Sequence, residues 1–182
     1  MSLDKSGLKT KKTKKITKER LKNIGLYYMQ RFESSVQNLR EVLTRRIDKY
    51  AFENKDYDKK EAYVWVEELL TEFQHLGYIN DERYADFKVR DYLSAGKSAR
   101  YIKTKLKQKG IKENTLDMLI ESQNYDGKAA ALKYAQKKHI GPYRLNDEER
   151  KNFKQKDMAS LLRAGFDYDD VCDVLNMKGD EL

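Results

Sequence analysis

Residues 80–111 read NDERYADFKVRDYLSAGKSARYIKTKLKQKGI, two helical patterns around a glycine elbow. Asp81 suits the cap of the first, and Ala85, Val89, Tyr92 and Leu93 recur at helical spacing. Gly96 ends it, since glycine accepts the left-handed conformation that follows a last turn. Ser98 caps a second helix to about Lys109, with Ala99, Ile102 and Leu106 as its apolar stripe. Gly110 stops that helix, and Ile111 is placed to fold back onto Leu106. Lys97, Arg100, Lys103, Lys105, Lys107, Lys109 and Lys112 occupy the remaining surface, and no acid occurs before Glu113. A narrow apolar side and a broad basic one describe a helix packed on a small core, with a cationic face left for a partner.

The same periodicity extends in both directions. Upstream, Thr17 caps a helix carrying Leu21, Ile24, Tyr28 and Phe32 on one face. Ser34 or Ser35 starts the next, with Val36, Leu39, Leu43 and Ile47 in register. After the charged loop 53–60, a third helix from about Lys60 points Val64, Trp65, Leu69 and Phe73 inward and ends at Gly77. Downstream, Leu116, Leu119 and Ile120 mark a third helix of the central unit. Asp126 caps a helix with Ala130, Leu132 and Ala135, which His139-Ile140-Gly141-Pro142 breaks. Asn146 and Glu149 form a capping box for a helix with Phe153, Met158, Leu161 and Leu162, stopped at Gly165. A last helix holds Val171, Val174 and Leu175.

These units repeat. Leu106, Gly110, Ile111, Leu116, Leu119 and Ile120 superpose on Leu161, Gly165, Phe166, Val171, Val174 and Leu175 at a constant offset of 55. Leu39 and Leu43 match Ile102 and Leu106 at an offset of 63. A triplet of such helices encloses only a small core, so neighbours share apolar surface. The expected fold is all-α, an elongated curved array of three tandem three-helix repeats. Its divisions are a basic disordered leader over 1–16 and repeats over 17–79, 80–124 and 125–182.

Composition agrees with helix: of 182 residues, one is proline and nine are glycine, while 37% are charged against 39% hydrophobic. The net charge of +8 is mostly local. Residues 1–22 hold nine Lys/Arg against Asp4 and Glu19, and the other 160 residues balance to +1. Overall basicity is therefore weak evidence for a nucleic-acid-binding body, and the dense run 97–112 is the informative one. Cys172 is alone, so no disulfide framework exists and a reducing compartment fits. No apolar run approaches the roughly 20 residues of a membrane span, and no secretory signal is present. A cytoplasmic protein is expected.

At Leu76–Ile111, LGYINDERYADFKVRDYLSAGKSARYIKTKLKQKGI, the chain resembles the RecX family, regulators of the RecA recombinase. The stretch is similar to that family's Leu-Gly-(Tyr/Leu)-Ile-Asp-Asp-Glu-(Arg/Tyr)-(Tyr/Phe)-Ala pattern, followed by an Arg-rich helix, a glycine and an Ile-x-x-x-Leu-x-x-Lys-Gly-Ile ending. YMQRFESSVQNLREVL (28–43) is similar to the family's first-unit signature, and LLRAGFDYDDV (161–171) to its C-terminal ending. Asn80 stands where an acid is more usual, and Ala164 where a second base is common before the Gly-Phe. The resemblance spans about residues 17–178. It implies a modulator without enzymatic activity that binds the RecA nucleoprotein filament, lies in its groove and dampens ATP hydrolysis and strand exchange. Its setting is homologous recombination, DNA repair and the SOS response.

On that reading the contacts to the filament or its DNA are Lys97, Arg100, Lys103, Lys107 and Lys109. Arg40, Arg45 and Arg46 are their counterparts in the first unit, and Lys154 and Arg163 in the third. Their role is electrostatic docking, and the chain is expected to be a monomer with possible further contacts to single- and double-stranded DNA and none to membrane. The rival reading is a stand-alone, non-sequence-specific DNA-binding helical module. Lysine-rich helix 98–109 suits phosphate contact more than base readout. Enzymatic chemistry finds no foothold. There is no phosphate-cradling glycine loop, no nucleophile–base pattern, and His75 and His139 lack metal-ligand spacing. No cofactor is expected.

Overall fold

Side-chain caps mark where five of the helices begin. In the computed structural model, which describes residues 14–177, the side-chain oxygens of Thr17, Ser35, Ser98, Asp126 and Asn146 accept from the N–H groups of Arg20, Asn38, Tyr101, Ala129 and Glu149 at 2.8–3.2 Å. Each satisfies a donor that the first helical turn leaves unpaired. The helices are α1 (Lys18–Met29), α2 (Val36–Glu53), α3 (Lys60–His75), α4 (Asp81–Ser94), α5 (Ala99–Lys107), α6 (Glu113–Ser122), α7 (Gly127–Lys138), α8 (Asp147–Arg163) and α9 (Tyr168–Asn176). A 3₁₀ turn, Gly141–Tyr143, precedes α8. No strand occurs among the described residues, so the fold is all-α with helices in threes. Residues 1–13, most of the expected basic leader, lie outside the described residues. Ile16, placed in that leader by the sequence, is buried in the first core.

The helix ends repeat one hydrogen-bond motif. Ile111 N–H donates to Leu106 O and Gly110 N–H to Lys107 O; Phe166 and Gly165 do the same to Leu161 and Leu162. Gly110 and Gly165 sit at φ +83° and +91°, where a Cβ would clash with the backbone. The bonds satisfy the last carbonyls and fold the following apolar residue back onto the helix. This is the physical content of the sequence offset of 55.

Two compact units meet in sequence at Asn80/Asp81. The first packs α1–α3 around Leu21, Leu39, Leu43, Ile47, Val66, Leu69, Leu70 and Phe73. Lys18–Glu68 (2.6 Å) and Lys22–Glu72 (2.5 Å) tie α1 to α3. Gly25 allows the close approach: a Cβ there would lie 2.8 Å from the Phe73 ring.

The second unit holds two cores. One lies within α4–α6, around Tyr84, Val89, Ile102, Leu106, Leu116 and Ile120. The other lies within α7–α9, around Ala131, Ala135, Leu161, Phe166, Val171 and Val174. Buried Asp157 of α8 receives a two-pronged bond from Arg144, both at 2.7 Å, and the Gly141 N–H at 2.8 Å, pinning the 3₁₀ turn to the helix.

Several apolar positions differ from the periodic reading. Val64 is 56% exposed, and Ala62 and Val66 take the inward places. Phe32 lies beyond the end of α1 and is exposed. Leu162 remains over one-third exposed because α8 turns its neighbour Leu161 to the core; Phe153, one turn before Asp157, is also over one-third exposed, with the Arg144 guanidinium 4.4 Å from its ring centroid. α4 begins at Asp81, one residue earlier than a cap at Asp81 requires, so Asp81 is its first residue and not its cap.

Candidate interaction surface

The short helix α5 is positioned from both ends. Ser98, 1% exposed, accepts from Tyr101 N–H and donates to the Ala164 carbonyl at 2.7 Å. This fastens the start of α5 to the turn between α8 and α9. Gly165 in that turn has Ser98 Oγ and the Arg100 side chain against it; a Cβ would meet them at 2.8 and 3.2 Å. Lys133 of α7 donates to the Ser94 carbonyl just before α5. Two hollows result. One, about 370 Å³, is lined by Arg100, Thr104, Leu162 and Arg163. The other, about 310 Å³, is lined by Arg100, Lys103, Lys107, Tyr125, Glu113 and Asp167.

The structure therefore brings Arg100 and Arg163, 63 residues apart in sequence, to one hollow, and Arg100, Lys103 and Lys107 to the next. Their charges are not equivalent. Lys103 pairs with Asp117 at 2.5 Å and Lys107 with Glu113 at 2.8 Å, a two-rung ladder between α5 and α6. The acid-free run 97–112 thus meets acids from the next helix, and the uniformly cationic face expected from the run is partly neutralised. Such solvent-exposed pairs are worth only about 0.2–1 kcal/mol each. Arg100 and Arg163 have no carboxylate partner among the described residues. Lys97 and Lys105 flank the Tyr101 ring at 5.0 and 5.9 Å, and Tyr101 in turn meets Tyr92 edge-on. Lys109 is partly buried.

The remaining predicted cations do not line these hollows. Lys154 donates to Asn176 Oδ1 at 2.8 Å. In the first unit Arg40 forks onto Glu67 at 2.7 and 2.9 Å, and that fork holds the Glu67 carboxyl below the usual carboxylate range. Arg45 donates to the Glu41 carbonyl of its own helix. Arg46 faces a separate hollow with Lys14, Lys15 and Arg20.

Among the described residues no group of three or more His, Cys, Asp or Glu is placed to hold a metal, and no helix is long and apolar enough to cross a membrane. What this surface offers chemically is fixed positive charge on helices held by side-chain caps and inter-repeat bonds.

A family model for the second three-helix domain of RecX matches residues 80–118, the segment that carries α4, α5 and most of α6. Over 160 residues the chain is 31% identical to "Regulatory protein RecX" of Myxococcus xanthus, covering 87% of this chain and 85% of that one. The chain belongs to the RecX family. A second RecX, from Agrobacterium fabrum, is 28% identical over 160 residues, covering 88% of this chain and 84% of that one. The crystal structure of RecX from Lactobacillus salivarius superposes with a TM-score of 0.63 at 22% identity, covering 91% and 97% of the two chains. That likeness concerns the fold, and it extends the RecX architecture across nearly the whole described chain. The Ser98–Ala164 clamp, by contrast, carried no signal in sequence, because its acceptor is a backbone carbonyl.

Proposed function

We propose that this RecX-family chain is a regulatory protein of the cytoplasm that binds the RecA nucleoprotein filament. It dampens the filament's ATP hydrolysis and strand exchange, in recombinational repair and the SOS response, without chemistry of its own. The observation that carries the reading is Arg100. It stands on a helix clamped by Ser98, shares one hollow with Arg163 and another with Lys103 and Lys107, and has no carboxylate partner among the described residues. A filament of nucleic acid and protein offers anionic groups at many places. A rigid cationic face gains on-rate and register from them, with binding that weakens as salt rises.

The test is the single-stranded-DNA-dependent ATPase of RecA titrated with this chain. Arg100→Glu/Lys103→Glu/Lys107→Glu should keep native helicity and lose suppression. Full suppression by that variant removes this face from the mechanism. Suppression lost only in parallel with affinity for bare duplex DNA would favour a DNA-binding module instead.

A further inference from the structure

A hollow of about 770 Å³ lies between the end of α2 and the start of α3, walled by the rings of Phe52, Tyr57 and Tyr63. We propose that it docks a segment of a partner protein in which an apolar side chain stands beside one or two carboxylates. Two of the rings are held in place. Tyr57 meets Tyr50 edge-on with centroids 4.9 Å apart, and Tyr63 donates its hydroxyl to Asp48. Phe52, the last residue but one of α2, is 82% exposed. A single exposed apolar side chain is ordinary. Beside two fixed rings it becomes part of an aromatic surface that needs little further ordering to receive an incoming apolar group.

The charges select what accompanies that group. Both carboxylates in the wall are engaged from within. Asp48 accepts from Lys59 Nζ at 2.9 Å as well as from Tyr63, and Asp58 accepts the Lys60 N–H at 2.9 Å. Lys59 is thereby committed. Lys55 and Lys60 line the same hollow and carry no side-chain ion pair among the described residues. The hollow thus sets two uncommitted cations beside apolar surface, yet three lysines against two aspartates give it a net charge of only +1. That balance suits a ligand of one or two carboxylates. A nucleic-acid strand draws its affinity from neutralising many phosphates, and Asp48 and Asp58 oppose it. A basic segment would leave Lys55 and Lys60 facing like charge. An acidic segment with an apolar anchor uses the rings and the lysines together.

This surface shares no residue with α5 and is measured without RecA, so its failure and that of the α5 reading are distinguishable. The probe is the acetylated peptide Ser-Asp-Leu-Phe-Asp-Ser, titrated into the full, isotope-labelled chain while backbone amide shifts are followed by NMR. Saturable shifts are expected at the amides of Phe52, Tyr57 and Lys60. Lys55→Glu/Lys60→Glu should weaken the peptide at least about tenfold, since two attractions become repulsions. Phe52→Ser should weaken it about tenfold, as loss of an aromatic anchor does. Peptides with both aspartates replaced by lysine, or with Leu-Phe replaced by Ser-Ser, should give no saturable shift. The proposal is overturned by the absence of saturable shifts with the acidic peptide, by equal affinity for the lysine peptide, or by unchanged binding to either variant. Oligothymidylate moving the same amides at a lower concentration than the peptide overturns it too, in favour of nucleic acid. Should Lys55→Glu/Lys60→Glu lose helicity, Phe52→Ser decides alone, because that side chain already stands in water.

Discussion

The hydroxyl of Ser98 donates to the carbonyl of Ala164 at 2.7 Å, across 66 residues of sequence, while accepting the Tyr101 N–H that opens α5. One buried atom thus caps a helix and clasps the next repeat.

Ser98→Ala removes both functions. A lost cap costs about 1 kcal/mol, and the partly buried Ala164 carbonyl left without its donor costs about 1–2 kcal/mol, toward the lower end for an unsatisfied group. Urea denaturation should show a loss of about 2–3 kcal/mol. A loss below 0.5 kcal/mol, as is usual for surface substitutions, would mean that the clasp does not hold.

The α5–α6 ladder tempers the cationic face. Glu113→Gln/Asp117→Asn frees Lys107 and Lys103. Affinity for the RecA filament on single-stranded DNA should rise by up to about fivefold per freed pair, with a steeper salt dependence. Equal or weaker binding would show that these lysines do not face the filament.

Asp157 governs the acid limit of the second unit. Burial pushes its carboxyl up, but Arg144 and the Gly141 N–H outweigh that, and the net displacement is downward. A carboxyl lowered in the fold contributes stability that is present above its unfolded value, near 3.9, and lost as pH falls through the lower folded value. Stability should therefore fall away below about pH 4. Asp157→Ala, which strands Arg144, should cost about 3–5 kcal/mol at pH 7. Both are read from guanidinium unfolding followed by circular dichroism.

Asp170 behaves in the opposite sense. Burial, together with Asp167, Asp126, Asp173 and Asp169, raises its carboxyl. Its protonated form is favoured by the fold, so its contribution is present at low pH and lost as pH rises through the raised value. Asp170→Asn should raise the melting temperature at pH 7, and the gain should vanish below about pH 4. A melting temperature lowered at pH 7 would contradict this.

Helix starts and stops were legible because they are local. A cap needs its oxygen three residues from its donor, as at Thr17, Ser98 and Asn146, and a left-handed stop favours glycine, as at Gly110, although α7 stops at His139 in the same conformation. Inward phase was less legible on α3, whose apolar residues run nearly unbroken from Ala62 to Val66. There the register follows what α1 and α2 present, so Val64 faces out. The cationic run 97–112 was legible as charge. Its neutralisation at Lys103 and Lys107 was not, since Glu113 and Asp117 reach it only through the fold of α6 back along α5. The Arg144–Asp157 pair, between the end of the 3₁₀ turn and α8, and the convergence of Arg46 with Arg20 are likewise products of packing between separate elements.

The Ser98 clasp makes the second triplet lean on the third. A chain ending after Asn124 would keep every lysine of α5 and lose the abutment that aims them. Shortening the array from its C-terminal side would thus disarm a triplet before removing any of it.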